Sequence, residues 1–336
     1  MRAVYITGKE TLEVCEEPRP EPSPGQVRIR IEYVGICGSD LHYYFYGENS
    51  GFSIDQPLIP GHELAGRVDH DPEAKWRRGQ PVTVHPARYG IKQVAYEGSP
   101  QLWPGGSYLG SASTWPHTQG ALVEYMLVDS QMLRALPEGL STRRASLAEP
   151  LAVVLHGIHL AGGVVGARVL VAGSGPIGLL AAAGARAMGA GEITATDVLT
   201  GPLQLAARLG ADTVVNVAET TLEANAYDVI LECSGTSLSI NTALEAVRPR
   251  GTAVQIGMVS SSTSGISLSA LVTKELRLLG AFRFNVEFDH AIRLLAERPE
   301  IEAVIAHDFP LEQIQQGFTT AIDPGCPGKV LVCMTP

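Results

Sequence analysis

Three separated segments carry residue types that hold a catalytic metal. They are Gly35-Ile36-Cys37-Gly38-Ser39-Asp40-Leu41-His42, Gly61-His62-Glu63 and Leu147-Ala148-Glu149-Pro150. Between them they offer a thiol (Cys37), an imidazole (His62) and two carboxylates (Glu63, Glu149). A structural zinc is closed by about four Cys or His ligands, whereas a catalytic zinc takes about three protein ligands and keeps a position for water or substrate. The mixed set here fits the open kind. Such an ion stays Lewis acidic enough to lower the pKa of a hydroxyl. Each piece alone is weak, since a single Cys beside Gly is often just a small buried hydrophobe. A second, independent motif strengthens the set.

That motif is Arg168-Val169-Leu170-Val171-Ala172-Gly173-Ser174-Gly175-Pro176-Ile177-Gly178, an apolar strand running into GxGxxG and then an Ala-rich helix through about Met188. The first glycine allows a tight turn, the second lets backbone approach a pyrophosphate, and the third lets helix and strand pack closely. The helix N-terminus supplies the anion site. Asp197 ends the next predicted strand 19 residues after Gly178, close to the spacing of a carboxylate that binds the adenosine ribose. A carboxylate there repels a 2′-phosphate, and Val198-Leu199-Thr200-Gly201 offers no Arg to receive one, so NAD is expected over NADP.

These groups need two lobes to position them. With 336 residues the chain exceeds one comfortable core. Residues 1 to about 135 read as short strands punctuated by Pro and Gly, such as Gln26 to Ile31 and Pro81 to Val84. From about Arg168 to Ala281, strands alternate with helices, and 168–172, 192–196, 213–215, 228–232, 253–257 and 277–280 supply six parallel strands of a doubly wound sheet. A helix near 287–297 and the strand Lys329 to Val332 return to the first lobe. The stretch 97–120 is a long loop rich in Gly, Ser, Pro and Trp, and its length alone marks it for function.

Composition limits the alternatives. No apolar run reaches the roughly 18 residues that span a bilayer, and no signal-peptide core follows Met1, so a cytoplasmic enzyme without membrane attachment is expected. The net charge of −10 and the absence of long basic runs argue against nucleic acid as a partner. Cys15, Cys37, Cys233, Cys326 and Cys333, an odd and widely spaced set, form no disulfide framework.

In order, GICGSDLHYY, GHE, LAEPLAV, GSGPIG and ECSG make the chain resemble, over essentially its full length, the zinc-dependent medium-chain dehydrogenase/reductase family and its sorbitol dehydrogenase-like branch. The resemblance implies an α/β architecture: a GroES-like β-rich catalytic domain (1–150 and 287–336) plus a Rossmann NAD-binding domain (151–286). It implies Cys37 and His62 as zinc ligands, with Glu63 and Glu149 as two carboxylates of which one ligates while the other stays nearby or exchanges. Ser39 and His42 match a proton relay, and Glu149 counts with them among the catalytic residues. Gly173, Ser174, Gly175, Pro176, Ile177, Gly178, Asp197, Cys233, Ser234 and Gly257 match cofactor contacts, and Lys329 matches a basic residue that reaches the pyrophosphate. Most relatives hold a second, structural zinc on four closely spaced cysteines, but residues 85–125 contain none. One zinc per chain is therefore expected, with the 97–120 loop stiffened by Trp103, Pro104, Trp115 and Pro116 or by a subunit contact. The Arg often found shortly after the ribose acid is also missing, where Pro202 stands.

Leu109 to His117 and Gly280 to Phe288 are similar to the corresponding segments of L-idonate 5-dehydrogenases, which implies oxidation of a sugar acid at a secondary alcohol with hydride transfer to NAD. A sorbitol- or xylitol-type polyol dehydrogenase is the alternative, and a noncatalytic nucleotide-binding protein fits the intact ligand set poorly. Arg283 is the candidate for the substrate carboxylate, because a guanidinium makes a bidentate contact. Tyr43, His117 and Glu287 are candidates for the sugar hydroxyls. A homodimer or homotetramer is expected, with the apolar segment Ile266 to Val272 and edge strands of the cofactor domain meeting across a two-fold axis.

Overall fold

The structure is a computed structural model that describes residues 1–259 and 263–335. The chain divides into two compact units. The first comprises Met1–Glu149, Phe288–Asp323 and the segment from Lys329 onward; the second comprises Pro150–Glu287 and Pro324–Gly328.

The first unit begins with an antiparallel hairpin of β1 (Arg2–Gly8) and β2 (Thr11–Glu16). β3 (Gln26–Gly35) is buried along most of its length and leads into α1 (Gly38–Tyr46). Cys37 is the N-cap of α1, and its N–H donates to the Asp40 carboxylate, so the Gly-Ser-Asp sequence closes the first turn. At the other end Gly47 adopts φ 75° and its N–H returns to the Tyr43 carbonyl, which stops the helix. β4 (Glu63–His70) pairs antiparallel with β3 in a register that sets Gly35 opposite Glu63. β5 (Pro81–Val84), β6 (Tyr125–Asp129) and β7 (Leu133–Ala135) extend the sheet, and α2 (Ala148–Leu160) begins at the unit's boundary.

The second unit is an alternating β/α array. β8 (Arg168–Ala172), α3 (Pro176–Ala187), β9 (Glu192–Asp197), α4 (Thr200–Arg208), β10 (Thr213–Asn216), β11 (Tyr227–Glu232), α5 (Ser237–Ala246), β12 (Val247–Gln255) and β13 (Arg277–Gly280) follow in order. All six strands are parallel, in the spatial order β10-β9-β8-β11-β12-β13. The inner strands are near-continuous apolar runs because helices cover both faces. Leu170, Ile230, Leu244, Val247 and Ala253 lie in one buried cluster beneath α5. The strand order reverses between β8 and β11, and a crevice for ligands opens beyond the carboxyl ends of strands at such a point.

After α6 (Glu287–Glu297) the chain returns to the first unit. β14 (Ile305–Pro310) and β15 (Lys329–Cys333) pair in parallel, and β15 pairs antiparallel with β3 in a register that sets Leu331 opposite Gly35. The ends of β3, β4 and β15 thus converge, and they carry Cys37, Glu63 and Lys329.

The sequence expectation holds for all six parallel strands, although the fifth begins at Val247 rather than Ala253. Within the apolar segment Ile266 to Val272, Ser269–Thr273 form a short helix whose Ala270 is buried while Val272 is exposed, and one edge of the sheet is β13. The 97–120 stretch is not all loop, since Ser107–Tyr108 pairs with Ala87–Arg88. Trp103 does brace it, donating from Nε1 to the Tyr96 carbonyl at 3.3 Å, whereas Trp115 is 72% exposed and contributes little packing. Among the described residues no helix is long and apolar enough to cross a membrane.

Candidate active site

Within the first unit, Cys37, His62 and Glu63 each offer a donor atom, and these atoms all lie within 4.8 Å of one another. The geometry follows from the sheet: Cys37 leaves the end of β3, while His62 and Glu63 open its neighbour β4. Gly35 permits the approach, because a Cβ built there would lie 2.1 Å from Glu63 Oε2. His62 and Glu63 are buried. His62 Nδ1 and Glu63 Oε2 have no hydrogen-bond partner. A buried polar atom left unpaired costs about 1–3 kcal/mol, so a pair of them inside a Cys/His/Glu donor set is the signature of a cation site. The residues present fit zinc.

Glu149 stands outside that group. It sits buried in the first turn of α2, where Tyr108 donates its hydroxyl proton to Glu149 Oε1. The spacing alone left Glu63 and Glu149 equivalent; the geometry puts Glu63 with Cys37 and His62.

The charge balance of the cluster is one-sided. Burial pushes the His62 imidazole down, but Cys37, Asp40 and Glu149 outweigh it and hold the pKa well above the usual histidine range. Burial raises the Asp40 carboxyl despite its His62 neighbour, and it raises Glu149 despite His62, with Glu63 adding repulsion. Burial lowers the Lys329 ammonium, yet Glu63 and Cys37 more than restore it. All four shifts run toward the protonated form, as crowding of anions in a buried cluster requires. A bound dication meets the same demand.

Lys329 requires a correction. The expectation placed it on a pyrophosphate, but its ammonium is buried, 2.7 Å from Glu63 Oε1 and 3.2 Å from the Ile36 carbonyl. The β15–β3 register delivers it beside Cys37, so it orients the Glu63 carboxylate. Ser39 and His42 lie three residues apart on one face of α1, both half-buried, with His42 edge-on to Tyr46.

Two of the proposed hydroxyl-binding residues are already engaged. His117 is buried between backbone groups: its Nε2 accepts from the Asp55 N–H at 3.1 Å and its Nδ1 faces the Thr114 carbonyl at 3.1 Å. It pins a loop and has no nitrogen for a substrate. Glu287, in the second unit, takes hydrogen bonds from His156 (3.2 Å), His159 (3.0 Å) and the Asn285 N–H (2.8 Å). Burial would raise its carboxyl, but these donors hold it far below the usual carboxylate range. A depressed folded-state pKa means the stabilisation is fully present above the unfolded value near ~4.3 and is lost as pH falls below it. Glu287→Gln is therefore expected to lower stability by about 1–3 kcal/mol at neutral pH, with the gap to the parent closing at pH values well below 4 in denaturant titrations. An equal gap at both pH values would refute this assignment. Tyr43 is buried in α1 and its hydroxyl accepts from the Ala112 N–H at 3.0 Å. Arg283 adopts φ 54° and lays its guanidinium over the Phe282 ring at 4.7 Å.

In the second unit the glycine motif forms the expected turn. Gly173 has φ 91°. A Cβ on Gly178 would meet the Gly173 carbonyl at 1.8 Å, so the third glycine secures the close helix approach. A Cβ on Gly175 would meet nothing within 4 Å, leaving open space where a pyrophosphate approaches the start of α3. Pro176 opens α3 at N1 with Ile177 behind it, and Gly178 is buried in the helix. A cavity of about 360 Å³ is lined by Gly173, Thr196, Asp197, Ser234, Thr236 and Thr242.

Asp197 holds the crevice together. Its Oδ2 accepts from the Ser174 N–H at 2.8 Å, and its Oδ1 from the Val198 (2.7 Å) and Leu199 (3.0 Å) N–H groups. A carboxylate has about four lone-pair sites, so capacity for a ribose hydroxyl remains. Ser174 turns its side chain inward to the Thr196 carbonyl. Burial and the neighbouring Glu232 push the Cys233 thiol well above the usual range. Gly257 lets the loops meet, since a Cβ there would lie 2.7 Å from the Gly235 nitrogen.

Sequence reasoning missed three groups. Asp40 is buried and accepts from the N–H groups of Cys37 (2.9 Å) and Gly61 (3.0 Å), joining the two ligand loops. Tyr108 anchors Glu149. Glu232 accepts from Ser234 N–H (3.1 Å), Gly235 N–H (2.9 Å) and Ser239 Oγ (2.7 Å), and so shapes the loop after β11. An acid three residues after the Cys, at N3 of a helix, was the one legible signal among them.

Known proteins share this arrangement. Residues 23–138 match the alcohol dehydrogenase GroES-like domain and residues 176–297 the zinc-binding dehydrogenase family. The chain is 33% identical to the L-idonate 5-dehydrogenase (NAD(P)(+)) of Escherichia coli over 98% of its own length and 97% of that protein's. It is 33% identical to sorbitol dehydrogenase 2 of Saccharomyces cerevisiae, over 93% of this chain and 92% of the relative. The crystal structure of L-idonate 5-dehydrogenase from Escherichia coli superposes with a TM-score of 0.92 at 32% identity, covering 99% and 98% of the two chains. The chain belongs to the zinc-binding dehydrogenases, with a GroES-like domain and a Rossmann-like six-stranded parallel sheet. Within that family it is an oxidoreductase of the zinc-dependent alcohol and polyol dehydrogenase type, with L-idonate and sorbitol dehydrogenases among its relatives.

Proposed function

We propose that this protein oxidises a secondary alcohol of a sugar acid, L-idonate to 5-keto-D-gluconate, with NAD as hydride acceptor and one zinc per chain. The observation that carries the chemistry is the Cys37, His62 and Glu63 donor group, whose imidazole and carboxylate are buried and carry two unpaired atoms. When bound, zinc supplies the Lewis acidity that lowers the alcohol's pKa, and NAD takes up the hydride. Cys37, His62 and Glu63 hold the ion, and Lys329 fixes the Glu63 carboxylate from its far oxygen. Ser39 accepts the hydroxyl proton and passes it toward His42. Asp197 binds the adenosine ribose and disfavours a 2′-phosphate. Residues 1–150 and 287–336 form the catalytic lobe, and 151–286 the cofactor lobe.

The sugar-acid assignment draws on the similarity to the L-idonate enzyme and on Arg283, whose guanidinium is held by its stack on Phe282. A charge-assisted hydrogen bond contributes about 1.5–3 kcal/mol. Arg283→Ala is thus expected to raise KM for L-idonate by roughly 10- to 100-fold while leaving kcat/KM for a neutral polyol within about threefold. An equal loss on both substrates removes Arg283 from carboxylate binding. The deciding experiment follows reduction of NAD and NADP with zinc-loaded protein on L-idonate, D-gluconate, sorbitol, xylitol and L-threonine. Selective turnover of L-idonate with NAD supports the proposal. Turnover of sorbitol or xylitol instead keeps the chemistry and replaces the substrate, an outcome that the equal identity to the yeast sorbitol dehydrogenase makes worth testing.

A further inference from the structure

Two carboxylates approach one donor group, and the structure treats them differently. Glu63 joins Cys37 and His62 within 4.8 Å and carries an unpaired oxygen, whereas Glu149 does not belong to that group. Their surroundings account for the difference. Glu63 is steered by Lys329, and Glu149 receives the Tyr108 hydroxyl proton. Tyr108 is buried and stands on the two-residue strand Ser107–Tyr108, pinned by its pairing with Ala87–Arg88. Its ring also packs edge-on against His62, with centroids 5.5 Å apart. One side chain therefore restrains Glu149 and buttresses a ligand imidazole.

We propose that Tyr108 is a positioning residue that tethers Glu149 beside the metal and so preserves the open coordination position. A carboxylate on the first turn of α2 that interacts with His62 and Glu63 gains by ligating an ion held there unless another donor satisfies it. The Tyr108 hydroxyl is that donor, and a hydrogen bond to a charged acceptor is among the stronger kinds. With Glu149 held back, about three protein ligands remain, the number that leaves a catalytic zinc accessible. Without the hydroxyl, Glu149 becomes a fourth ligand and closes the site. This inference rests on the zinc reading of Cys37, His62 and Glu63.

The test uses the full chain loaded with cobalt(II), whose visible absorption reports ligand number, together with the rate at which a chelator strips zinc. Tyr108→Phe keeps the ring against His62 and removes only the donor. The expected result is a changed visible cobalt spectrum, a chelator release rate slowed by about tenfold as a ligand is added, and a fall in kcat with NAD binding unchanged. In a Glu149→Gln background the same substitution is expected to change neither spectrum nor release rate, since the amide is a poor ligand. An unaltered spectrum and release rate in Tyr108→Phe overturns the proposal, as does an equal effect in both backgrounds. Should Tyr108→Phe not fold, Glu149→Gln alone supplies the second arm: a tethered Glu149 is no ligand, so the cobalt spectrum is expected to stay that of the parent, and an altered ligand-field spectrum there overturns the proposal. Failure of the parent protein to bind cobalt with a thiolate charge-transfer band would instead refute the zinc reading itself.

Discussion

Cys37→Ala is expected to abolish zinc binding and lower kcat/KM for the alcohol by about 10³-fold or more, with the fold intact. Cys37, His62 and Glu63 form a group of three donors, and a catalytic zinc needs about three from the protein. Removing the thiolate leaves one imidazole and one carboxylate that is already shared with Lys329. Lewis acid stabilisation is worth several kcal/mol, and each ~1.4 kcal/mol is a factor of about ten in rate. Stability is expected to change little, because Cys37 is only half-buried and alanine retains the N–H that donates to Asp40, losing only the thiol, a weak acceptor, from the first turn. Elemental analysis of the purified protein should give about one zinc per parent chain and close to none in the variant. NAD binding, measured by calorimetry, should be equal in both because the glycine turn and Asp197 lie in the other unit. Unchanged zinc content in the variant would show that the ion sits elsewhere.

What was legible in the sequence was whatever depends on neighbours along the chain. The strand, the glycine turn and the first helix turn of residues 168–187 form one local unit, so their spacing and chemistry stood in the sequence together. Cys37, His62 and Glu63 were legible as ligand types, since few other duties call for that combination. Lys329 was misread because its role depends on pairing across the sheet: β15 reaches β3 after nearly three hundred residues, and only the register shows that its ammonium lands on Glu63. His117 and Glu287 were misread for a related reason. Both are polar residues near site motifs, and nothing local reveals that backbone amides and two histidines already use their hydrogen-bonding capacity. Tyr108 lay inside a stretch that looked irregular, and only a two-residue strand pairing aims it at Glu149.

Asp40 is the residue whose loss should damage the site most without touching a ligand. Its buried carboxylate accepts from Cys37 N–H at 2.9 Å through Oδ2 and from Gly61 N–H at 3.0 Å through Oδ1. One donor belongs to a ligand and the other to the residue before a ligand, so a single side chain spans the two loops that must meet around the ion. His62 Nδ1 lies 3.9 Å from the same carboxylate, placing a negative charge behind the imidazole. Asp40→Ala leaves one buried and one partly buried N–H group without an acceptor, at about 1–3 kcal/mol each, for a total of about 2–6 kcal/mol. For a unit of this size that corresponds to a fall in melting temperature of roughly 5–20 °C. Loss of such a supporting group also weakens metal affinity by about 10- to 100-fold. Asp40→Asn separates the two effects. Its amide oxygen satisfies one N–H, while its NH₂ group faces the other donor and satisfies nothing, so its melting temperature should fall between the parent and Asp40→Ala. Differential scanning calorimetry with and without zinc reads both quantities. The zinc-induced rise in melting temperature should shrink from parent to Asn to Ala, and an undiminished rise in Asp40→Ala would mean that the loops find each other without it.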